Sequence, residues 1–224
     1  MVSGLLDAAG LTPADVDVVA FGQGPGAFTG LRVACGVAQG MALALDIPLV
    51  GVGAHAAVAD DVPRAPTPAI VAVAMDARMG EAYVAVFALD ASAEDKTPPR
   101  LIQAPLLLAA SDLPGWLTQG RQAWLDANAS GAGTQTWLAG DAWTAYAEQI
   151  VIPAHWPLTP VLRPEASTVA RLGALAWADG QTIDAADARP LYVRDKVAFT
   201  TAERAAGQGG NPKAAAHPDM GGQP

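Results

Sequence analysis

GQGPGAFTGLRVACGVAQGMALALDIPLVGV, residues 22–52, sets a glycine-rich loop, a helix and a buried strand one after another without a break. The residues before it, DVDVVAF, contribute Val16, Val18, Val19 and Phe21, whose β-branched and apolar character predicts a short strand ending at the glycines. The loop Gly22, Gln23, Gly24, Pro25 and Gly26 permits positive φ and close backbone approach, and Thr29 is a candidate cap for the helix that follows. Strand, tight turn, helix and strand make an α/β unit.

The helix, expected over Phe28 to Leu45, carries its small residues in order. Gly30, Ala34, Ala38 and Ala42 recur at four-residue spacing, and Gly36, Gly40 and Ala44 form a second row, so another backbone can approach closely. Leu31, Val33, Val37, Met41, Leu43 and Leu45 supply the bulk between them. Each helical glycine costs about 1 kcal/mol relative to alanine, and tight packing is what would offset it. The packing surface is this chain's own sheet or a neighbouring helix, or a helix of another subunit, and one helix can do both with different faces; Gly30, Ala34, Gly36, Ala38, Gly40 and Met41 are the candidate interface residues.

The loop is not a phosphate-binding P-loop, because Phe28, Thr29 and Gly30 stand where Lys followed by Ser or Thr would be needed. Gly22, Gly24 and Ala27 do satisfy a dinucleotide-type G-x-G-x-x-A after a strand. Its ribose-binding acid belongs at the far end of the second strand, however, and Asp46 precedes that strand.

A chain of 224 residues, 51% hydrophobic and 16% charged, can bury the core of one large domain or two modest ones. Thirteen basic against 22 acidic side chains leave a formal net charge of -9, which repels phosphate backbones and speaks against tight RNA binding by this chain alone. The single cysteine, Cys35, excludes an internal disulfide framework and reads as a small buried apolar residue. The first residues lack a basic region and an apolar core, and the apolar run 33–52 is interrupted by Gln39, Asp46 and Pro48. A cytoplasmic protein without a signal peptide or membrane span is expected.

Residues 4–11 read as the end of a helix closed by Gly10. After a short helical stretch from Gly53 to Ala59, the proline-rich segment 61–68 marks a boundary between a first half, residues 1–60, and a second, residues 69–199. Strands over Ala69–Ala74 and Ala82–Leu89 form a hairpin around a charged turn containing Asp76, Arg78, Gly80 and Glu81. A strand over Leu101–Leu108, a short helix over Asp112–Gln119, a strand over Thr134–Ala139 and a helix over Asp141–Gln149 follow. Glu165–Ala178 is an amphipathic helix with Val169, Leu172 and Leu175 on one face, and residues 200–224 read as a disordered glycine-rich tail.

The pattern GxGPGxFTGxR, with a small-residue helix containing Ala38, Gln39 and Gly40, resembles the bacterial TsaB family, also called YeaZ. Gly22, Gly24, Pro25, Gly26, Phe28, Thr29 and Arg32 carry the match, and two later segments agree in order: residues 76–81 (DARMGE) and 190–194 (PLYVR). Ala27 and Ala34 depart from the family's usual Ser and Gly. The resemblance spans residues 4 to about 198 and implies an actin-like, sugar-kinase-type ATPase fold in two halves, the first lacking its opening hairpin and most of its first helix. It further implies a non-catalytic subunit of the machinery that makes threonylcarbamoyladenosine in tRNA. Such a subunit pairs with the catalytic relative TsaD, and TsaE is a further component. The chain could homodimerise when alone and would reach tRNA only through the complex.

The residues are consistent with that role. His55, His155 and His217 are scattered, no H-x-x-x-H pair exists, and no nucleophile elbow or Ser-x-x-Lys pattern is present. We therefore expect no catalytic residues, no metal and no cofactor bound by this chain alone. The turn from Asp76 to Glu81 remains open to three readings: a solvated hairpin turn, a partner contact or a phosphate site, the last disfavoured by its two acids and bulky Arg78 and Met79. The alternative to the accessory role is an independent phosphotransferase or peptidase-like enzyme on the same fold.

Overall fold

The computed structural model describes residues 2–91, 97–127 and 134–194; the tail expected over 200–224 lies outside them. Two sheets organise the chain. The first pairs β1 (Val19–Gly24) in parallel with β2 (Leu49–Gly53), joined by the crossover helix α2 (Phe28–Leu45). The second has four strands in the order β5-β4-β3-β6, with β3 (Ala69–Arg78), β4 (Glu81–Leu89) and β5 (Arg100–Ala109) antiparallel neighbours and β6 (Gln135–Ala139) parallel to β3.

The glycines do not end the first strand as expected. Gly22 and Gly24 pair with Val52 and Gly53 across an irregularity in register, so β1 begins and ends later than Val16 to Phe21. Gly51 lets Gln23 lie across β2, since a Cβ there would sit 2.9 Å from the Gln23 amide carbon. Helix α2 matches its expected bounds, but its N-cap is Ala27, with no side-chain cap; Thr29 is already inside the helix. Asp46 closes α2 in the left-handed conformation, its N–H donating to Ala42, which gives this acid a structural role.

The face of α2 bearing Cys35, Ala38 and Ala42 packs on Phe21 and Leu49. On the opposite side of that sheet, α3 (Ala54–Asp60) and α6 (Ala166–Ala178) cover Val50 and Val52 through Ala57 and Leu172. Here Gly173 is required, because a Cβ would approach that of Ala20 to 2.3 Å. Thus residues 166–194, expected with the second half, return to the first sheet. By composition α2 is apolar enough for a membrane span, mean hydropathy 1.4 over 18 residues, yet one of its faces belongs to this chain's own core.

Side chains of β3 and β4 alternate between two cores, which explains strands that are apolar nearly throughout. Ile70, Ala72, Val84 and Val86 face Trp143, Trp156 and α4 (Leu113–Ala127); Val71, Val73, Ala85 and Phe87 face Val58 and Val62. Helix α4 runs well beyond the expected Gln119 because Trp124, buried on that core, continues its apolar stripe. The helix expected over Asp141–Gln149 is a single turn, α5 (Ala142–Ala145), anchored by Trp143, whose indole N–H donates to Ala139 at 2.9 Å. Before β1, α1 (Val2–Ala9) buries none of its residues, and Gly10 ends it at positive φ as expected.

Helix α3 stands between the sheets. Its Asp60 is buried and pairs with Arg64 at 3.0 Å and with Arg171 of α6, while Asp61 accepts from the Thr168 hydroxyl. A buried carboxylate shared by two guanidiniums is satisfied, and breaking one partner away would leave an uncompensated charge.

Candidate functional site

The three segments that carry the sequence pattern, 22–32, 76–81 and 190–194, meet at one cleft between the sheets. It holds a cavity of about 470 Å³ and, beside it, a wider one of about 760 Å³, with Asp76, Arg78, Asp141 and Arg163 lining both.

The β3–β4 hairpin projects into this cleft on a two-residue turn. Met79 and Gly80, both at positive φ, match the twist of the strands, and Arg78 also lies at φ 64. Two consecutive non-glycine residues in the left-handed region are strained, at roughly 1–2 kcal/mol each. Asp76 supports that backbone, its Oδ1 accepting from the Arg78 N–H at 2.7 Å and its Oδ2 pairing with the Arg78 guanidinium at 2.9 Å.

The Tyr146 hydroxyl donates to the same Asp76 Oδ1 at 2.6 Å and lies 3.2 Å from the Glu81 carbonyl. Burial, reinforced by Asp76, pushes the Tyr146 hydroxyl up to about 12, so it is a hydrogen-bond donor at neutral pH and no base. Asp141 accepts from the Asp76 N–H at 2.8 Å and pairs with Arg163 at 3.2 Å. It is placed by Gly140, at φ +100, where a Cβ would fall 2.1 Å from the Ala74 carbonyl oxygen.

Both oxygens of Asp76 and of Asp141 are therefore engaged within the chain. No group of three or more His, Cys, Asp or Glu side chains suited to a metal occurs among the described residues. His55 is buried, its Nε2 donating to the Tyr83 carbonyl at 3.0 Å, and desolvation holds its pKa down to about 4. It is a neutral structural imidazole with no Ser or Cys hydrogen-bonded to it among the described contacts.

The turn differs from its sequence reading. Glu81 is not a solvated turn residue but a buried one, held by the Arg194 guanidinium, which also donates to the Ala77 carbonyl at 3.1 Å and approaches the Met79 sulfur at 3.4 Å. Only Arg78, Met79 and Gly80 present themselves to solvent, and the Arg78 N–H that a phosphate would use is taken by Asp76.

The glycine-rich loop likewise serves the fold. Pro25 is buried, following a cis peptide bond from Gly24, and a Cβ on Gly24 would meet Leu31 at 2.9 Å. Arg32 stacks on the Phe28 ring with its guanidinium carbon 3.6 Å from the centroid, and its Nε donates to the Tyr192 hydroxyl at 2.9 Å. Gly22, Gly26 and Thr29 make no specific side-chain site; Thr29 is exposed.

The candidate interface residues on α2 separate into three sets. Ala38 is 3% exposed and belongs to the chain's own core, which corrects its assignment to a partner face: together with Cys35 and Ala42 it turns onto the sheet. Ala34 and Met41 are half-buried at the margin. Gly30, Gly36 and Gly40 are exposed beside Val33, Val37 and Leu43, which are 59%, 50% and 70% exposed. A Cβ built on Gly36 or Gly40 meets nothing within 4 Å.

Sequence reasoning did not single out Tyr146, Asp141, Arg163 or Tyr192 as members of one locus. A Gly-Asp pair directly after a buried strand was the available signal for Asp141; the others come together only through the topology.

Comparison with known proteins adds the following. The family model described as TsaD, tRNA N6-adenosine threonylcarbamoyltransferase, matches residues 1–198. The tRNA threonylcarbamoyladenosine biosynthesis protein TsaB of Escherichia coli is 28% identical over 208 residues, 89% of this chain and 80% of that protein. A Pseudomonas aeruginosa crystal structure, of a protein described as similar to peptidase YeaZ, superimposes with a TM-score of 0.68 at 36% identity, covering 87% of this chain and 81% of the other. A second structure, YeaZ from the same organism, gives 0.67 at 34% identity, covering 86% and 80%.

Proposed function

We propose, on the premise that this chain belongs to the TsaD-type family of tRNA N6-adenosine threonylcarbamoyltransferases and to its TsaB (YeaZ) branch, that it is the non-catalytic partner subunit in forming threonylcarbamoyladenosine in tRNA. The observation that carries this reading is the outer face of α2. Gly36 and Gly40 sit in mid-helix with open space where their side chains would be, ringed by exposed Val33, Val37 and Leu43. Nothing among the described residues uses the close approach that these glycines permit, and each weakens the helix by about 1 kcal/mol. A partner helix packed along that stripe would use it, and the partner we assign is TsaD.

The cleft supports the non-catalytic part of the reading. The carboxylates of Asp76 and Asp141 are engaged, Tyr146 keeps its proton, and His55 is buried on a carbonyl. The peptidase label attached to one relative finds no hydrogen-bonded nucleophile and base among the described residues to support it. We further propose a cytoplasmic heterodimer with TsaD that TsaE joins, self-association through the same face when TsaD is lacking, and no cofactor held by this chain alone. With a net charge of -9, contact with tRNA falls to the assembled complex.

The test is to mix the chain with TsaD from its own cells and follow complex formation by light scattering after size exclusion. A one-to-one complex is expected, replacing any homodimer. Two species that elute unchanged at concentrations well above 10 μM would remove the partner reading.

A further inference from the structure

We propose that residues 183–194 form a strap linking the docking helix α2 to the β3–β4 hairpin, so that a partner seated on α2 also fixes the hairpin turn in the cleft. This rests on the docking role assigned to α2 above.

The strap is irregular chain held at several points by the first sheet and α2. Ile183 exchanges backbone hydrogen bonds with Leu49 at 2.9 and 3.0 Å. Gln39 of α2 donates to the carbonyls of Ala185 at 2.8 Å and Ala188 at 3.2 Å. Gln23 is engaged twice, its amide donating to the Arg189 carbonyl at 3.0 Å and its own carbonyl accepting from Leu191 at 2.7 Å. Tyr192 then meets Phe28 and Arg32. Two residues later the chain changes partners: Arg194 leaves the first sheet and grips Glu81, the Ala77 carbonyl and the Met79 sulfur of the hairpin.

The two ends of this link differ in physical character. In the Arg194–Glu81 pair Glu81 is buried and Arg194 mostly covered, their side chains 5% and 11% exposed, and separating the pair would strand a charge. The joint with α2 is a surface one: Phe28 and Tyr192 are 41% and 47% exposed, and Arg32 is exposed beside them. Arg32 also lies on the outer stripe of α2, four residues before Gly36. A partner docked on the stripe meets Arg32 and through it can reorder the joint with Tyr192 cheaply, while the clasp at Arg194 passes the change to a turn already held at positive φ through three successive residues. Coupling of this kind needs an element that both sites bias, and the strap is physically continuous between them.

The experiment is amide hydrogen exchange on the full chain, alone and saturated with TsaD, in wild type and in Tyr192→Ala. In wild type TsaD is expected to slow exchange in α2 and, at least tenfold, in peptides spanning residues 76–82. In Tyr192→Ala the protection of α2 should persist and that of 76–82 should be lost. Protection of 76–82 that survives in Tyr192→Ala, or that never develops while α2 is protected, overturns the coupling. If TsaD protects nothing, it is the docking role that fails. The strap itself is then judged on the free chain: the neutralised pair Glu81→Gln with Arg194→Gln should speed exchange of residues 183–193 at least tenfold while circular dichroism stays native. Unchanged exchange there removes the strap.

Discussion

Replacing Gly36 and Gly40 of α2 should raise stability and lower partner affinity with the same substitutions. A Cβ at either position meets nothing within 4 Å, so alanine there meets no steric penalty in the isolated chain. Each Gly→Ala exchange inside a helix is worth about 1 kcal/mol, so the pair Gly36→Ala with Gly40→Ala should stabilise the chain by roughly 2 kcal/mol. For a protein of this size that raises Tm by about 4–8 °C. Leucine at the same positions keeps most of the gain but fills the groove that a partner backbone would enter. Overpacking a tight contact costs about 1–3 kcal/mol, which is roughly a tenfold to hundredfold loss in affinity. Scanning calorimetry of the free chain and titration calorimetry against TsaD read the two effects separately. Ala38→Trp is the contrast: buried among Phe21, Cys35, Ala42 and Leu49, it should lower Tm instead. A Leu variant that is more stable and binds TsaD with unchanged affinity would refute the argument, because the open stripe would then face no partner.

Three further outcomes are expected. His55 has its pKa held at about 4 in the fold and about 6.5 in the unfolded chain. Stability from this group is thus complete above pH 6.5 and declines by roughly 3 kcal/mol as pH falls through that interval toward 4; urea midpoints of wild type and His55→Gln should diverge in slope between pH 6.5 and 4.5, and parallel curves would exclude the effect. Gly140→Ala would place a Cβ 2.1 Å from the Ala74 carbonyl oxygen at a φ of +100. It should cost more than about 2 kcal/mol and displace Asp141, visible as a lowered Tm, and a native Tm would mean that the strand shifts without penalty. Met79→Asn suits the left-handed turn better than methionine and should stabilise the chain by about 1 kcal/mol, read as a raised urea midpoint; a lowered midpoint would show that the contact with Arg194 outweighs backbone relief.

Local chemistry written into adjacent residues was legible. Helix α2 spans its expected bounds because Pro25 and Gly26 precede it and Asp46 can close it in the left-handed conformation. The hairpin was readable from two β-branched runs around Met79 and Gly80. What escaped is what only three-dimensional neighbours decide. Ala38 and Gly40 carry equivalent small-residue signals, and which row meets the sheet depends on how α2 lies over Phe21 and Leu49. Glu81 read as a turn acid because its partner, Arg194, is 113 residues away. Helix α6 looked like part of the second half because nothing in its own sequence reveals that Gly173 packs on Ala20. The motif residues were singled out by resemblance, the phosphate and dinucleotide readings of the glycine loop having failed on sequence, and that Phe28 and Arg32 meet Tyr192 could be read only from the structure.

The most direct measurement of the central claim is reconstitution of threonylcarbamoyladenosine formation from purified components, quantified by mass spectrometry of digested tRNA, with this chain present or left out. Modification should require the chain together with TsaD, fall tenfold or more with Gly36→Leu and Gly40→Leu combined, and be absent with this chain as the sole protein. Full modification without the chain, or turnover by the chain alone, would contradict the account.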